Sequence, residues 1–209
     1  MLNTLAMERR AVHRIANRAV YEHQAAASWR GVPMDKCATD LLAYQEIIYG
    51  LQPEIVIETG SWAGGSGLFL ADMCYLFGMG KVISIDLNPP VPVPYHPLLT
   101  FIKGNSEYPE IVRRVRQMAG RLGAFVILDS AHDKEHVLAE LDAYSPLIGA
   151  GGYLIVEDTN INGNPVLPDF GPGPREAVEE WLERSPEFEH AAEPYVSFCP
   201  SGYLRRVCV

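Results

Sequence analysis

The sequence predicts an α/β fold with a mostly parallel sheet covered by helices on both faces. Three observations predict it. Short runs of β-branched and aliphatic residues alternate with segments of helical spacing. The runs are apolar on both faces, as in a sheet buried on both sides. Four of the five runs end in acid, at Glu58, Asp86, Asp129 and the pair Glu157-Asp158.

The elements follow in order. Val12, Ile15, Ala16, Ala19 and Val20 recur at helical spacing, with Arg9, Arg10, Arg14 and Arg18 on other faces. This amphipathic helix is expected to pack on the domain or on a partner chain. Trp29 to Pro33 is turn-rich, and Asp40 to Leu51 reads as a helix. Ile55-Val56-Ile57 starts the first strand and Leu68 to Phe77 the next helix. Val82 to Asp86 is a strand, Pro89 to Pro97 a proline-rich loop, Leu99 to Ile102 a strand and Glu110 to Ala119 a helix. Ala124 to Leu128, Lys134 to Tyr144 and Gly152 to Val156 continue the alternation. Asn160 to Pro174 is long enough for a binding loop. A helix spans Arg175 to Arg184, and Tyr195 to Val207 reads as a hairpin around Pro200-Ser201-Gly202. Residues 1–50 are read as a helical extension and 51–209 as the α/β domain.

Composition sets the boundaries. The 209 residues are 48% hydrophobic and 21% charged, enough for a sizeable core and unlike a disordered chain. Acids number 26 against 17 Lys and Arg, a formal charge of −9, so no nucleic acid partner is expected. No apolar run approaches the ~18 residues of a membrane span, and Met1 to Arg18 lacks the apolar stretch of a secretory signal. Cys37, Cys74, Cys199 and Cys208 form no C-x-x-C pair and fit reduced thiols in a cytoplasmic protein.

Ligands of open α/β sheets bind beyond the carboxyl ends of the strands. There the first turn reads Glu58-Thr59-Gly60-Ser61-Trp62-Ala63-Gly64-Gly65-Ser66-Gly67. It matches neither G-x-G-x-x-G nor G-K-[ST], which argues against a dinucleotide oxidoreductase and a P-loop. An acid before the glycines suits a cationic ligand, and Asp86 can accept ribose hydroxyls. A nucleoside with a positive centre and no phosphate describes S-adenosylmethionine. Asp129, Glu157 and Asp158 offer hard oxygen donors for Mg2+, Mn2+ or Ca2+. Such an ion could lower the pKa of a substrate hydroxyl. His132 is placed as a general base, whereas His136 reads as packing or surface. No histidine is followed two positions later by an acid, which argues against a non-haem iron hydroxylase.

These residues resemble the cephalosporin hydroxylase and rhamnosyl O-methyltransferase family of class I S-adenosylmethionine-dependent methyltransferases. The likeness runs from Trp29-Arg30-Gly31-Val32-Pro33 to Gly202-Tyr203-Leu204-Arg205-Arg206-Val207. It includes Tyr44-Gln45-Glu46, Leu128-Asp129-Ser130, Lys134 to Leu141, Leu154 to Thr159, and the specific run Pro165 to Pro174. The resemblance implies a Rossmann-like, mostly parallel seven-stranded sheet with an antiparallel C-terminal strand. It implies cofactor contacts from Glu58, Gly60, Ser61, Ser66 and Asp86, with Asn105 and Ser106 on the adenine side. It implies Mg2+ or Mn2+ on Asp129, Glu157 and Asp158, and a base at His132. Asn105 and Ala131 stand where the family commonly has aspartates. The expected activity is methyl transfer to a hydroxyl of a sugar or antibiotic-type natural product, by a homo-oligomer. A different reading is an S-adenosylmethionine-binding accessory subunit that assists another tailoring enzyme.

Overall fold

The computed structural model describes residues 2–23, 27–120 and 123–207, without the side chains of residues 2–10 and 13. The side chains of Arg9 and Arg10, and Cys208, therefore lie outside the description. The chain runs α1 (Leu2–His23), β1 (Ala27–Trp29), β2 (Val32–Met34), α2 (Ala38–Leu51), β3 (Ile55–Thr59), α3 (Gly65–Leu76), β4 (Val82–Asp86), β5 (Leu99–Lys103) and α4 (Pro109–Ala119). It continues with β6 (Ala124–Leu128), α5 (Lys134–Tyr144), a 3₁₀ turn (Ser145–Leu147), β7 (Tyr153–Val156), α6 (Pro174–Glu183), β8 (Phe188–His190) and β9 (Tyr203–Arg206).

Seven strands form one sheet in the order β5-β4-β3-β6-β7-β9-β8, and β1-β2 is a separate hairpin. Strands β3 to β7 are parallel, and β9 is antiparallel to both β7 and β8. This is the Rossmann-like methyltransferase sheet with an antiparallel C-terminal strand.

Strand alternation divides the core in two. Ile55, Ile57, Ile83, Ile85, Val126 and Leu128 pack with Ile111 and Val115 of α4, Leu141 of α5 and Trp181 of α6. Their neighbours Val56, Val82, Phe125 and Ile127 face the other way, onto Tyr44 and Ile48 of α2 and Phe69 and Leu70 of α3. Each fully buried aliphatic or aromatic side chain of this kind contributes about 1.5–3 kcal/mol. Helix starts follow local chemistry. Pro109 opens α4. Asp133 caps α5 by accepting the His136 amide at 3.0 Å.

The tail departs from expectation. Residues 195–202 are not a strand of a hairpin; β9 pairs instead with Phe188–His190 on one side and β7 on the other. Side chains claim this segment's amides instead. Asn17 Oδ1 accepts from Ser197 N, Asp40 Oδ2 from Phe198 N and Glu193 Oε2 from Ser201 N. With those donors committed, no sheet ladder can form there.

Candidate active site

The strand order reverses between β3 and β6, and the site opens at the carboxyl ends of the strands around that point. Register sets its floor. Thr59 lies opposite Leu128 and Leu128 opposite Val156, so Gly60, Asp129 and Glu157 leave the sheet side by side. Gly60 has φ +82°, and a Cβ there would stand 1.7 Å from the Asp129 carbonyl oxygen. Only glycine allows the two strand ends to lie this close. Above them is a cavity of about 910 Å³, at the large end of ligand pockets.

One half of the cavity is built on β3, β4 and β5. Gly60, Ser61, Ser66, Asp86, Asn105 and Ser106 all line it. Asp86 organises the first turn: Oδ2 accepts from Ser61 N at 2.8 Å and Trp62 N at 3.0 Å, and Oδ1 from Asn88 N at 2.7 Å. Asn105 folds back on Glu107, accepting its amide at 3.1 Å. Glu58 does not line the cavity. It lies fully buried beneath it, where Oε2 accepts from Ser84 Oγ at 2.5 Å and Oε1 has no partner. Burial pushes its pKa up, against the pull of Lys36, Ser66 and Ser84.

The other half is built on β6 and β7. The ligand atoms of Asp129, His132 and Asp158 all lie within 4.8 Å of one another, and His132 Nε2 is 3.2 Å from Asp158 Oδ2. Glu157 is not in this group. It turns inward, where Oε1 accepts from Lys36 Nζ at 2.6 Å and from Tyr44 OH of α2 at 2.5 Å, and Oε2 from Cys199 Sγ at 3.0 Å. Consecutive residues in extended chain diverge, and Asp158 adds a left-handed backbone of φ +53° that turns it toward His132. Lys36 Nζ also lies 2.5 Å from Asp129 Oδ2.

The charges respond to this arrangement. Burial pushes Asp129 well above the carboxylate range despite Lys36, and pushes Asp158 up to about 7 with Glu157 adding to the effect. Burial also acts on Glu157, but Lys36, Cys199 and Tyr44 hold it below the ordinary value.

The loop from Asn160 to Pro174 forms the outer wall through Ile161, Leu167 and Phe170. It is closely bonded: Asn162 Nδ2 reaches Glu176 Oε1 at 3.0 Å and Gly163 N reaches Val166 O at 2.7 Å. Arg14 of α1 donates to Gly163 O at 3.1 Å, and Tyr21 brings α1 to the cavity wall.

Sequence reasoning missed several of these residues. Lys36 and Tyr21 arrive from outside the strand ends. His136, expected at the surface or in packing, lines the cavity, with Nε2 2.8 Å from Ser130 Oγ and 3.3 Å from Ser106 Oγ. A usable signal was present in its i,i+4 relation to Glu140, whose Oε1 lies 3.4 Å away. Cys37, Cys74 and Cys199 are buried free thiols.

Comparison with known sequences places this geometry. Residues 21–207 match the family described as Rhamnosyl O-methyltransferase/CmcI. The chain belongs to that family. A rhamnosyl O-methyltransferase of Mycobacterium leprae (strain TN) is 41% identical over 189 residues, 86% of this chain and 82% of the relative. One of Mycobacterium bovis (strain BCG / Pasteur 1173P2) is 38% identical over 190 residues, 86% and 78% of the two chains. Among solved structures, CmcI-N160 in its apo form superposes with TM-score 0.67 at 22% identity, over 92% of this chain and 84% of that one. The O-methyltransferase TomG of Streptomyces achromogenes, in complex with SAM, gives 0.60 at 16%, over 96% and 89%. These two show the shared fold. S-adenosylmethionine-dependent O-methyl transfer is the enzyme class that membership assigns.

The residues present fit the cofactor of such a family. Gly60, Ser61 and Ser66 give the cavity a wall of small residues, and Asp86 keeps its carboxylate there. The Asp129 and Asp158 carboxylates, hard oxygen donors with His132 beside them, fit a divalent ion. Glu157, the third expected ligand, has its oxygens engaged by Lys36, Tyr44 and Cys199 in this structure.

Proposed function

We propose that this family member is a divalent-metal-dependent O-methyltransferase acting on a sugar hydroxyl, of rhamnosyl or related natural-product type. The observation that carries the reading is the cluster of Asp129, His132 and Asp158 on one wall of a cavity whose opposite wall is the Gly60–Ser66 turn and Asp86. The curated relatives named rhamnosyl O-methyltransferase support the acceptor class, and a CmcI structure with Mg and SAM supports the metal.

Bound S-adenosylmethionine would supply the activated methyl group, and a divalent ion held by Asp129 and Asp158 would add charge stabilisation for a developing alkoxide. The chain's own residues do the rest. His132 takes the acceptor's hydroxyl proton, and Asp158, 3.2 Å from its Nε2, positions the ring. Ile161, Leu167 and Phe170 give the acceptor an apolar wall and exclude water. Asp86 and the Gly60–Ser66 turn hold the donor side, so the two substrates meet in a fixed orientation.

Transfer of labelled methyl from S-adenosylmethionine to rhamnosyl glycosides, with Mg2+ and after chelation, tests the reading. Transfer that falls at least about tenfold on chelation and returns with Mg2+ is expected. Transfer unaffected by chelation would remove the metal from the reading, and no transfer to any rhamnosyl acceptor would remove the acceptor class. Nothing in the site favours the accessory reading. A homo-oligomer belongs to the same proposal. Val12 and Ile15 stand 54% and 68% exposed on α1, which supports it, and a monomer mass by light scattering would count against it. Among the described residues no helix is long and apolar enough to cross a membrane. The three buried thiols support a cytoplasmic setting.

A further inference from the structure

Ser84 is the polar exception in an apolar strand. In the run Val82-Ile83-Ser84-Ile85 it is fully buried, and its register partner on β3 is Glu58, also fully buried. Alternation turns both toward α3, on the face that carries Val56 and Val82. Gly67 of α3 rests on the pair: a Cβ there would stand 3.2 Å from Glu58 Oε2 and 3.5 Å from the Ser84 Cβ. A chain of three polar groups starts here. Ser84 Oγ donates to Glu58 Oε2 at 2.5 Å, and Ser61 Oγ lies 2.6 Å from Ser84 Oγ. Glu58 is beneath the cavity, whereas Ser61 lines it.

The chain has a direction. A hydroxyl has one proton to donate and two lone pairs, and a carboxylate only accepts. Ser84 gives its proton to Glu58, so toward Ser61 it can only accept. Ser61 therefore turns its own proton inward. Its amide is committed as well, to Asp86 Oδ2 at 2.8 Å. With both donors engaged, Ser61 offers the cavity acceptors alone. The buried negative charge is expressed at the wall through two polarised hydroxyls, although the carboxylate itself stays out of the wall.

We propose that Ser84 is a positioning residue that relays the charge of Glu58 to Ser61, and that Ser61 accepts a hydrogen bond from the ammonium group of S-adenosylmethionine. The inference rests on the assignment of that cofactor to this cavity and deepens it. A sulfonium centre has no N–H or O–H to donate, and the adenine amine and ribose hydroxyls are neutral donors. The ammonium is the donor that a relayed negative charge favours most. Glu58 thus serves the cofactor at one remove, through a serine of the neighbouring strand.

Two probes test it, each titrated by calorimetry into the full chain: S-adenosylhomocysteine, and its desamino analogue, in which hydrogen replaces the amino group. Ser84→Ala is expected to weaken S-adenosylhomocysteine at least about fivefold. The desamino analogue should stay within about twofold, because it has no ammonium to lose the contact. Glu58→Gln keeps the shape, removes the charge and is expected to give the same split. Where that variant fails to fold, Ser61→Ala takes its place with the same expectation. Ser84→Ala combined with Ser61→Ala should be no weaker than the worse single variant within about twofold, since both break one chain. Equal weakening of the two probes by Ser84→Ala would make Ser84 a packing residue and overturn the proposal, with the cofactor assignment intact. Unchanged S-adenosylhomocysteine affinity in Ser84→Ala would overturn it as well. A folded parent chain that binds neither probe would remove the cofactor assignment and the proposal together.

Discussion

The two halves of the cavity are built from different materials. Around β3 and β4, the wall is backbone amides and short hydroxyls gathered by one carboxylate, Asp86, within a few residues of each strand end. Around β6 and β7, the wall is Asp129, His132, Glu157 and Asp158, and its balance depends on Lys36 from 93 and 121 residues away in sequence. The first half can shape itself around a ligand with little change in charge. The second stores electrostatic tension that a cation, a proton or a substrate can relieve. In the proposed reaction the donor side is a holder and the acceptor side a reactive surface.

The sharpest way to break this comparison is His132→Ala. Loss of the base is expected to lower kcat by about 10²–10⁴ while S-adenosylhomocysteine affinity stays within about threefold. Calorimetry and turnover on the same preparation check it, and a parallel loss of affinity would mean that the halves are not separable. Asp40→Ala comes next. Its carboxylate accepts from Ser197 Oγ, Tyr203 OH and Phe198 N, so removal leaves buried donors without partners. A loss of about 3 kcal/mol in urea unfolding is expected, since each stranded donor costs about 1–3 kcal/mol.

Asp86→Ala probes the donor half. It should weaken S-adenosylhomocysteine at least about tenfold, worth about 1.4 kcal/mol, with Mn2+ binding unaffected. Equal damage to both would show that the first turn also supports the acidic wall.

The smallest effect concerns pH. The hydrogen bond that His136 donates to Glu140 raises its pKa above 6.5, with burial opposing and Glu107 and Asp133 adding to the rise. A raised folded pKa means stability that is complete below the unfolded value and lost as pH rises through the folded one. Melting temperature should therefore decline above pH 6.5 in the parent chain and decline less in His136→Gln. Identical slopes would remove His136 from the account.

Much of this was legible because it is local. The alternation in Ile55 to Thr59 and Ala124 to Leu128 fixes strands whose register then brings Gly60, Asp129 and Glu157 side by side. The positions of Asp86, Asp129 and Asp158 at strand ends could be read from the same pattern. What Glu157 does could not, because its partners Lys36, Tyr44 and Cys199 converge from three distant segments. The tail was misread for a related reason. Pro200-Ser201-Gly202 is a turn, but Asp40 and Asn17 claim the amides before it, and no local pattern announces that.

Asp40 has one more consequence. It sits on α2, while its donors Ser197, Phe198 and Tyr203 lie 157 to 163 residues later. During synthesis the early helix carries an acid that nothing emerging for most of translation can satisfy. More than 150 further residues must leave the ribosome before that helix can settle against them. Removing residues 197–203 is thus no trimming of a loose segment: it withdraws the keystone for a helix made seconds earlier, and leaves a chain for quality control to find.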